Sequence, residues 1–251
     1  QFISAFLVMR CLIKEEGGIH LELKALCIRP DKLWKIIQIG LPAGFQGTLF
    51  SLSNVFIQSS VNLFGEIVIA GNSAALNIEN FIFTGMNGFS QGTLTFISQN
   101  FGAKKYDRIK KSVGISLGCI LVIGLILGNV IVLFGNNLLR LYSENPIVID
   151  FGMNRLRLIC SIFVLCGLMD VMGNIIRGLG HSFLPMIITL IGACGIRILW
   201  IKTIFEVSKF HTCETIYISY PISWIATFIA LFISFLFIIK KWELQKNNEI
   251  I

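Results

Sequence analysis

Three ionisable residues lie inside stretches of the sequence that are otherwise apolar: Glu79, Asp170 and Arg197. Asp170, for example, is the only charged residue between Leu158 and Ile176. A charge inside an apolar span is costly, so such residues are rare and commonly belong to an ion pathway, a proton relay or a charge pair. We therefore predict that these three residues either bind an ion or a substrate, or form charge pairs that only join helices.

The depth of each charge along its helix predicts which charges can pair. At about 1.5 Å of rise per residue, Glu79 falls near the level of Arg155 and Arg157, while Asp170 lies closer to the other end of its helix bundle. Arg197 falls between the two acids, about 10 Å from Asp170 along the helix axis. We predict that Arg197 pairs with Asp170, and that Arg155 or Arg157 pairs with Glu79.

A stripe of polar residues recurs at steps of three or four in the apolar segment that holds Glu79. Its members are Ser73, Asn77, Asn80, Thr84, Asn87 and Gln91. This spacing places all six on one helix face, which either lines a wet cavity or bonds to a neighbouring helix. We favour the cavity because so many polar residues share the face. The preceding segment is also polar, with Gln46, Ser51, Ser53, Asn54 and Gln58.

Together these observations give one candidate set of substrate-binding or ion-binding residues. The set is Glu79, Asp170, Arg197, Gln46, Asn54, Asn77, Asn80, Asn87 and Gln91.

The elements that carry these residues are predicted to be long apolar helices. Of the 251 residues, 55% are hydrophobic and 14% are charged, whereas about 25% are charged in typical soluble domains. A helix needs about 20 mostly apolar residues to cross a bilayer, and it satisfies its own backbone polar groups there. We predict an all-α integral membrane protein with six spans, near residues 36–63, 67–99, 112–138, 148–176, 184–205 and 215–239.

The positive charge of the chain is concentrated between and beyond the apolar runs. The net charge is +7, and lysine and arginine cluster in segments 10–35, 104–111 and 240–246. With six spans these segments fall on one side, which the positive-inside rule makes cytoplasmic. We predict a multi-pass protein of the cell (plasma) membrane with both ends of this segment cytoplasmic, and no nucleic-acid partner.

Motifs for catalysis and for cofactor binding are absent from the sequence. It has no His-Glu-x-x-His metal motif and no Gly-rich phosphate loop ending in Lys-Ser/Thr. The histidines do not cluster, and no pair among the seven cysteines has metal-ligand spacing. We predict no enzyme activity, no metal site and no cofactor.

Several short motifs occur in a characteristic order. They are Gly40-Leu-Pro-Ala-Gly-Phe-Gln46, Gln99-Asn-Phe-Gly-Ala103, Ile176-Arg-Gly-Leu-Gly-His-Ser182, Cys194-Gly-Ile-Arg-Ile-Leu-Trp200 and Tyr217-Ile-Ser-Tyr-Pro-Ile-Ser-Trp224. In order and spacing they resemble the C-terminal half of multidrug and toxic compound extrusion (MATE) transporters of a bacterial branch. Each motif is weak alone, but together they cover nearly the whole chain.

The resemblance implies that the chain is one six-helix lobe of a twelve-helix transporter. Residues 1–9 would end a preceding transmembrane helix, 10–35 would be a cytoplasmic inter-lobe linker, 36–241 the lobe, and 242–251 a cytoplasmic tail. The N-terminal six-helix lobe would be missing from this chain. The chain departs from the family at two places: Thr48 to Ser51 occupy a stretch where some relatives carry Glu, and Asp170 stands where the bacterial branch usually has Glu.

The function that the resemblance implies is secondary active efflux across the lipid bilayer. An H⁺ or Na⁺ antiporter would export drugs or small organic metabolites, organic cations among them, by alternating access. Either coupling ion fits the sequence. The alternatives are a lipid-linked oligosaccharide flippase of the same superfamily and a non-transporting membrane assembly subunit.

Overall fold

The computed structural model describes residues 2–15, 20–22 and 27–248, with side chains up to residue 242. Nearly all of these residues are helical, and none of the described residues is in a strand. The chain divides into two compact units, residues 1–38 and residues 39–251. The helical content agrees with the predicted all-α class.

The first unit contains α1 (Phe2–Lys14) and the start of α2. No side chain of α1 is buried. α1 continues past residue 9, where the predicted inter-lobe linker begins. Parts of that linker and of the predicted tail, residues 16–19, 23–26 and 249–251, lie outside the described residues. The roles of both segments therefore stay predictions.

The second unit is a helical bundle with helices at each of the six predicted apolar segments. Its helices are the part of α2 (Pro30–Val61) from residue 39 onward, α3 (Glu66–Gly102), α4 (Tyr106–Arg140), α5 (Pro146–Cys160), α6 (Val164–Gly178), α7 (Phe183–Thr189), α8 (Ile196–Trp200) and α9 (Cys213–Asn248). α3 lies at the centre against α4, α5 and α6, and α9 packs on α5 and α6. Large apolar side chains such as Leu133 and Phe237 point outward.

Three helical stretches are long and apolar enough to cross a membrane: residues 106–140, 183–205 and 213–242. The pair α5 and α6 meets the same criterion if it is counted as one bent span. Among the described residues, α2 and α3 do not meet it, although both exceed 30 residues. The reason is that the polar residues singled out in the sequence lie in these two helices and lower their mean hydropathy.

The fourth predicted segment, 148–176, is two helices that meet at an angle of 48°. α5 begins at a cap in which the Asn145 side chain accepts a hydrogen bond from the amide of Ile147 at 3.0 Å, a common helix start. It ends at Cys160, where Gly128 of α4 packs against the Cys160 carbonyl oxygen. A Cβ at position 128 would overlap that oxygen. The end of α5 is therefore in close contact with a residue distant in sequence.

Two pairs of small residues on α4, Gly114 with Gly118 and Gly124 with Gly128, differ in their surroundings. Gly124 and Gly128 both pack closely on the bend between α5 and α6, a close approach that small residues allow. A Cβ at Gly114 or Gly118 would meet no atom within 4 Å.

Candidate functional site

A polar cavity of about 750 Å³ lies within the second unit, between α2, α3, α5, α6, α8 and α9. Five members of the predicted stripe line it: Ser73, Asn77, Asn80, Asn87 and Gln91. Thr84, the sixth, instead donates a hydrogen bond to the carbonyl of Asn80 at 2.7 Å. From α2 the cavity receives Gln46, Ser51, Asn54 and Gln58. The structure thus brings the polar faces of both helices to one space.

Glu79 and Arg155 form a buried ion pair at the wall of this cavity. Arg155 Nε donates to Glu79 Oε1 and Nη2 donates to Oε2, both at 2.8 Å. The residues are 6% and 1% exposed. Such a two-bond geometry gives a strong charge-assisted contact. The prediction that Glu79 pairs with Arg155 or Arg157 is confirmed for Arg155, while Arg157 is exposed.

A hydrogen-bond network extends this ion pair to two more helices. Arg155 Nη1 donates to the Asn72 side chain at 2.9 Å, and Asn72 donates to Gln58 of α2 at 2.9 Å. The hydroxyl of Tyr217 on α9 also donates to Asn72, at 3.3 Å. Sequence reasoning missed Asn72 because it lies off the polar stripe, and missed Tyr217 because tyrosine does not stand out in an apolar run.

Asp170 is tied to a different arginine from the one predicted. Its carboxylate interacts with Ser90 and with Arg177. Asn174 donates to the Ser90 hydroxyl at 2.6 Å, and Arg177 Nη1 donates to Asn174 at 2.6 Å. Arg177 Nη2 also donates to Gln46 of α2 at 2.9 Å. The network therefore runs from Asp170 along α6 and across to α2.

The predicted pair of Asp170 with Arg197 is wrong. Arg197 donates from Nε to the hydroxyl of Ser223 at 2.8 Å, and Asp170 interacts with Arg177 instead. The height estimate ignored the direction in which each side chain points. Asp170 and Arg177 are two turns apart on the same helix, which places them on one face.

Arg197 is fully buried, at 1% exposure, among aromatic rings. Its guanidinium carbon lies 4.2 Å from the ring centre of Tyr220, 5.4 Å from that of Phe50 and 5.8 Å from that of Trp224. Its Nη2 has no hydrogen-bond partner among the described residues. The site thus holds a cation by stacking, which is favourable in a desolvated place.

The helix that carries Arg197 is irregular on both sides of it. α8 is only five residues long, and it lies between π-helical turns at residues 190–195 and 201–205. Single π-helical turns inside helices are frequent at functional sites.

The charged groups at the cavity wall are three arginines and two carboxylates. They are Arg155, Arg177, Arg197, Glu79 and Asp170. All nine residues of the predicted binding set line this cavity. The arrangement offers hydrogen bonds, charges and aromatic faces, and therefore suits binding.

A model of the MatE family matches residues 42–201. A probable multidrug resistance protein NorM of Streptococcus pneumoniae is 26% identical over 201 residues, which are 78% of this chain and 43% of that protein. An FAD transporter of Shewanella oneidensis is 26% identical over 117 residues, 47% of this chain and 26% of the relative. The chain thus spans less than half the length of these relatives.

The fold is similar to that of a solved multidrug resistance MATE family transporter of the MOP superfamily in an outward-facing conformation. The TM-score is 0.82 at 17% identity, over 98% of this chain and 54% of the solved one. A MOP superfamily transporter from Pyrococcus furiosus gives a TM-score of 0.80 at 17% identity, over 94% of this chain and 52% of that chain.

Proposed function

This chain belongs to the MatE family, and from that premise we propose that it forms one six-helix lobe of a twelve-helix secondary transporter. The transporter would export small organic compounds by alternating access, in exchange for H⁺ or Na⁺. The coverage of about half of a solved MATE transporter chain, 54%, supports the assignment of one lobe.

The observation that carries the proposal is the polar cavity beside α2 and α3. Ligand sites commonly measure about 300–1,000 Å³, and this cavity has about 750 Å³. Its polar residues lie on helices whose outer faces are apolar. Such a division is expected of membrane helices that surround a wet space, because polar groups facing lipid are costly.

Within the proposal, all six helical segments cross the plasma membrane, with α5 and α6 as one bent span. α2 and α3 are too polar to be recognised as spans by composition, but their polar faces line the cavity rather than the lipid. The basic segments 10–35, 104–111 and 240–246 support cytoplasmic positions for both ends.

Asp170 is the proposed coupling group. It is half-buried at the cavity wall and interacts with Ser90 and Arg177, which are themselves joined by hydrogen bonds through Asn174. Binding of H⁺ or Na⁺ would neutralise this carboxylate and weaken its electrostatic attraction to Arg177. Arg177 also donates a hydrogen bond to Gln46 of α2. The charge of Asp170 would therefore affect this contact between α6 and α2, and with it the equilibrium between two transport states.

The substrate is left open by this proposal. The relatives are named for multidrug resistance in one case and for FAD transport in another. A flippase for long anionic lipid-linked sugars would need a continuous cationic track. Arg155 is neutralised by Glu79, so the cavity offers two separate arginines instead of such a track.

The test is efflux from a pump-deficient bacterial strain, measured with a cationic dye, a neutral dye and an anionic dye. The chain would be expressed alone and joined to a preceding six-helix lobe. The proposal predicts export only by the two-lobe protein, and only while a proton or sodium gradient exists. Normal surface expression of the two-lobe protein without export of any dye would contradict it.

A further inference from the structure

Arg197 is the one buried arginine of the cavity wall whose charge is not met by a carboxylate in the part of the chain that the structure describes. Arg155 is held by Glu79 through two bonds, and Arg177 interacts with Asp170. The groups that interact electrostatically with Arg197 are Tyr220, Cys166, Cys194 and Arg155, none of which is a carboxylate.

This isolation is unusual for a group buried so deeply. Taking a cation out of water is unfavourable unless a counter-charge and hydrogen bonds replace the lost hydration. The rings of Tyr220, Phe50 and Trp224 supply part of this replacement, and Ser223 accepts one hydrogen bond. Nη2 nevertheless has no hydrogen-bond partner among the described residues, so one donor of this buried cation is unsatisfied.

The position of Arg197 suits contact with a ligand. It lines the same cavity as Phe50, Trp224 and Asn54, and the π-helical turns on either side mark a departure from regular helix at this place. Of the aromatic side chains beside it, Phe50 is half-buried at the cavity wall, and its ring can pack against a planar ligand in a stacked or edge-on arrangement.

We propose that Arg197 binds an anionic group, a carboxylate or a phosphate, of a planar organic substrate, and that the ring of Phe50 packs against the planar part. The inference rests on the proposed transport function and specifies its substrate class. Arginine suits this role because its planar donors match both carboxylate and phosphate oxygens.

The experiment measures binding by calorimetry to the full chain in nanodiscs of neutral phosphatidylcholine. The probes share one ring system and differ in charge: 1-naphthoate, 1-naphthyl phosphate and 1-naphthylmethylammonium. We expect at least one of the two anions to bind about 10- to 100-fold more tightly than the ammonium compound. The better of the two anions identifies the chemical group. Equal or tighter binding of the ammonium compound would overturn the proposal.

Three variants make the test specific to this arginine. Arg197→Gln should weaken anion binding by about 10- to 100-fold and should not weaken ammonium binding. Arg157→Gln is the matched control, because it removes the same charge from an exposed position outside the cavity. If Arg197→Gln does not fold, Arg197→Lys keeps the charge but loses the planar donors, and it should weaken anion binding about tenfold. If the Arg197 variant that folds, Arg197→Gln or Arg197→Lys, binds the anion as tightly as the wild-type protein does, the proposal is overturned.

Failure of this inference differs from failure of the proposed function. Anion binding that depends on Arg197, in a two-lobe protein that exports nothing, would contradict transport and support the anion site. Export of the ammonium compound alone, with anion binding indifferent to Arg197, would support transport and contradict the anion site.

Discussion

Glu79 and Arg155 are 76 positions apart in the sequence and form a two-bond ion pair in the centre of the bundle, with both bonds at 2.8 Å. The pair links α3 to α5, and Asn72 extends it to α2 and α9 through Gln58 and Tyr217. The cavity wall therefore depends on one neutralised pair, and the loss of either partner alone would leave a buried charge.

The first prediction concerns this pair. Arg155→Met should lower the free energy of unfolding by about 3–5 kcal/mol, because it leaves Glu79 buried without a counter-charge. Chemical unfolding in detergent micelles, followed by circular dichroism, measures the change. The double variant Glu79→Gln with Arg155→Met should recover most of the loss. Arg157→Met, at an exposed position of the same helix, should change little, and an equal loss there would contradict the pairing.

The second prediction separates Asp170 from Arg197. Since these residues belong to different networks, the effects of Asp170→Asn and Arg197→Gln on unfolding free energy should add within about 0.5 kcal/mol. A double-mutant cycle on Glu79 and Arg155 should show a large coupling energy and serves as the positive control. A large coupling energy between Asp170 and Arg197 would restore the pair that the sequence predicted.

The third prediction tests the bend between α5 and α6. Gly128→Ala should destabilise the protein by about 1–3 kcal/mol, because the new methyl group meets the Cys160 carbonyl and the helices must separate. Gly118→Ala is the matched control on the same helix, since a Cβ there meets no atom within 4 Å. Thermal unfolding of both variants gives the comparison. Equal stability of the two variants would show that the close approach at Gly128 is absent.

Much of the fold was predictable because its signals are local. The apolar runs predicted the helical segments, and the spacing of Ser73, Asn77 and Asn80 predicted a polar face on α3. The pairing of Glu79 with an arginine of α5 was also predictable, because the rise per residue in a helix converts residue counts into heights.

The rest depended on contacts that join distant residues. The bend at 161–163 lies beside Gly128 of α4, a contact that no local pattern in 148–176 indicates. A count of residues placed Arg197 near Asp170, although its side chain faces Ser223 and Tyr220. Arg177 was not singled out in the sequence, although it reaches both Asn174 and Gln46.

The fourth prediction concerns coupling in the two-lobe protein. Asp170→Asn should impair gradient-driven export and leave expression largely intact, because the amide keeps the shape of the side chain and an oxygen that can accept from Ser90. Efflux measured over a range of external pH tests the change. Asp150→Asn neutralises an exposed acid on α5 and should export normally. Normal export by Asp170→Asn at every pH would make Asp170 structural.

The central claim is that α3 faces a wet cavity on one side and lipid on the other, and the neighbouring residues Asn80 and Phe81 test it directly. Asn80 lines the cavity, whereas Phe81 is 76% exposed on the outer surface and does not line it. Each would be changed to cysteine in a background where Cys11, Cys27 and Cys119, the exposed cysteines of the described residues, are serine. The chain would then be placed in lipid vesicles and treated with a charged thiosulfonate reagent that does not cross membranes. We predict rapid modification at position 80 and none at position 81, whereas equal or inverted reactivity would contradict the account.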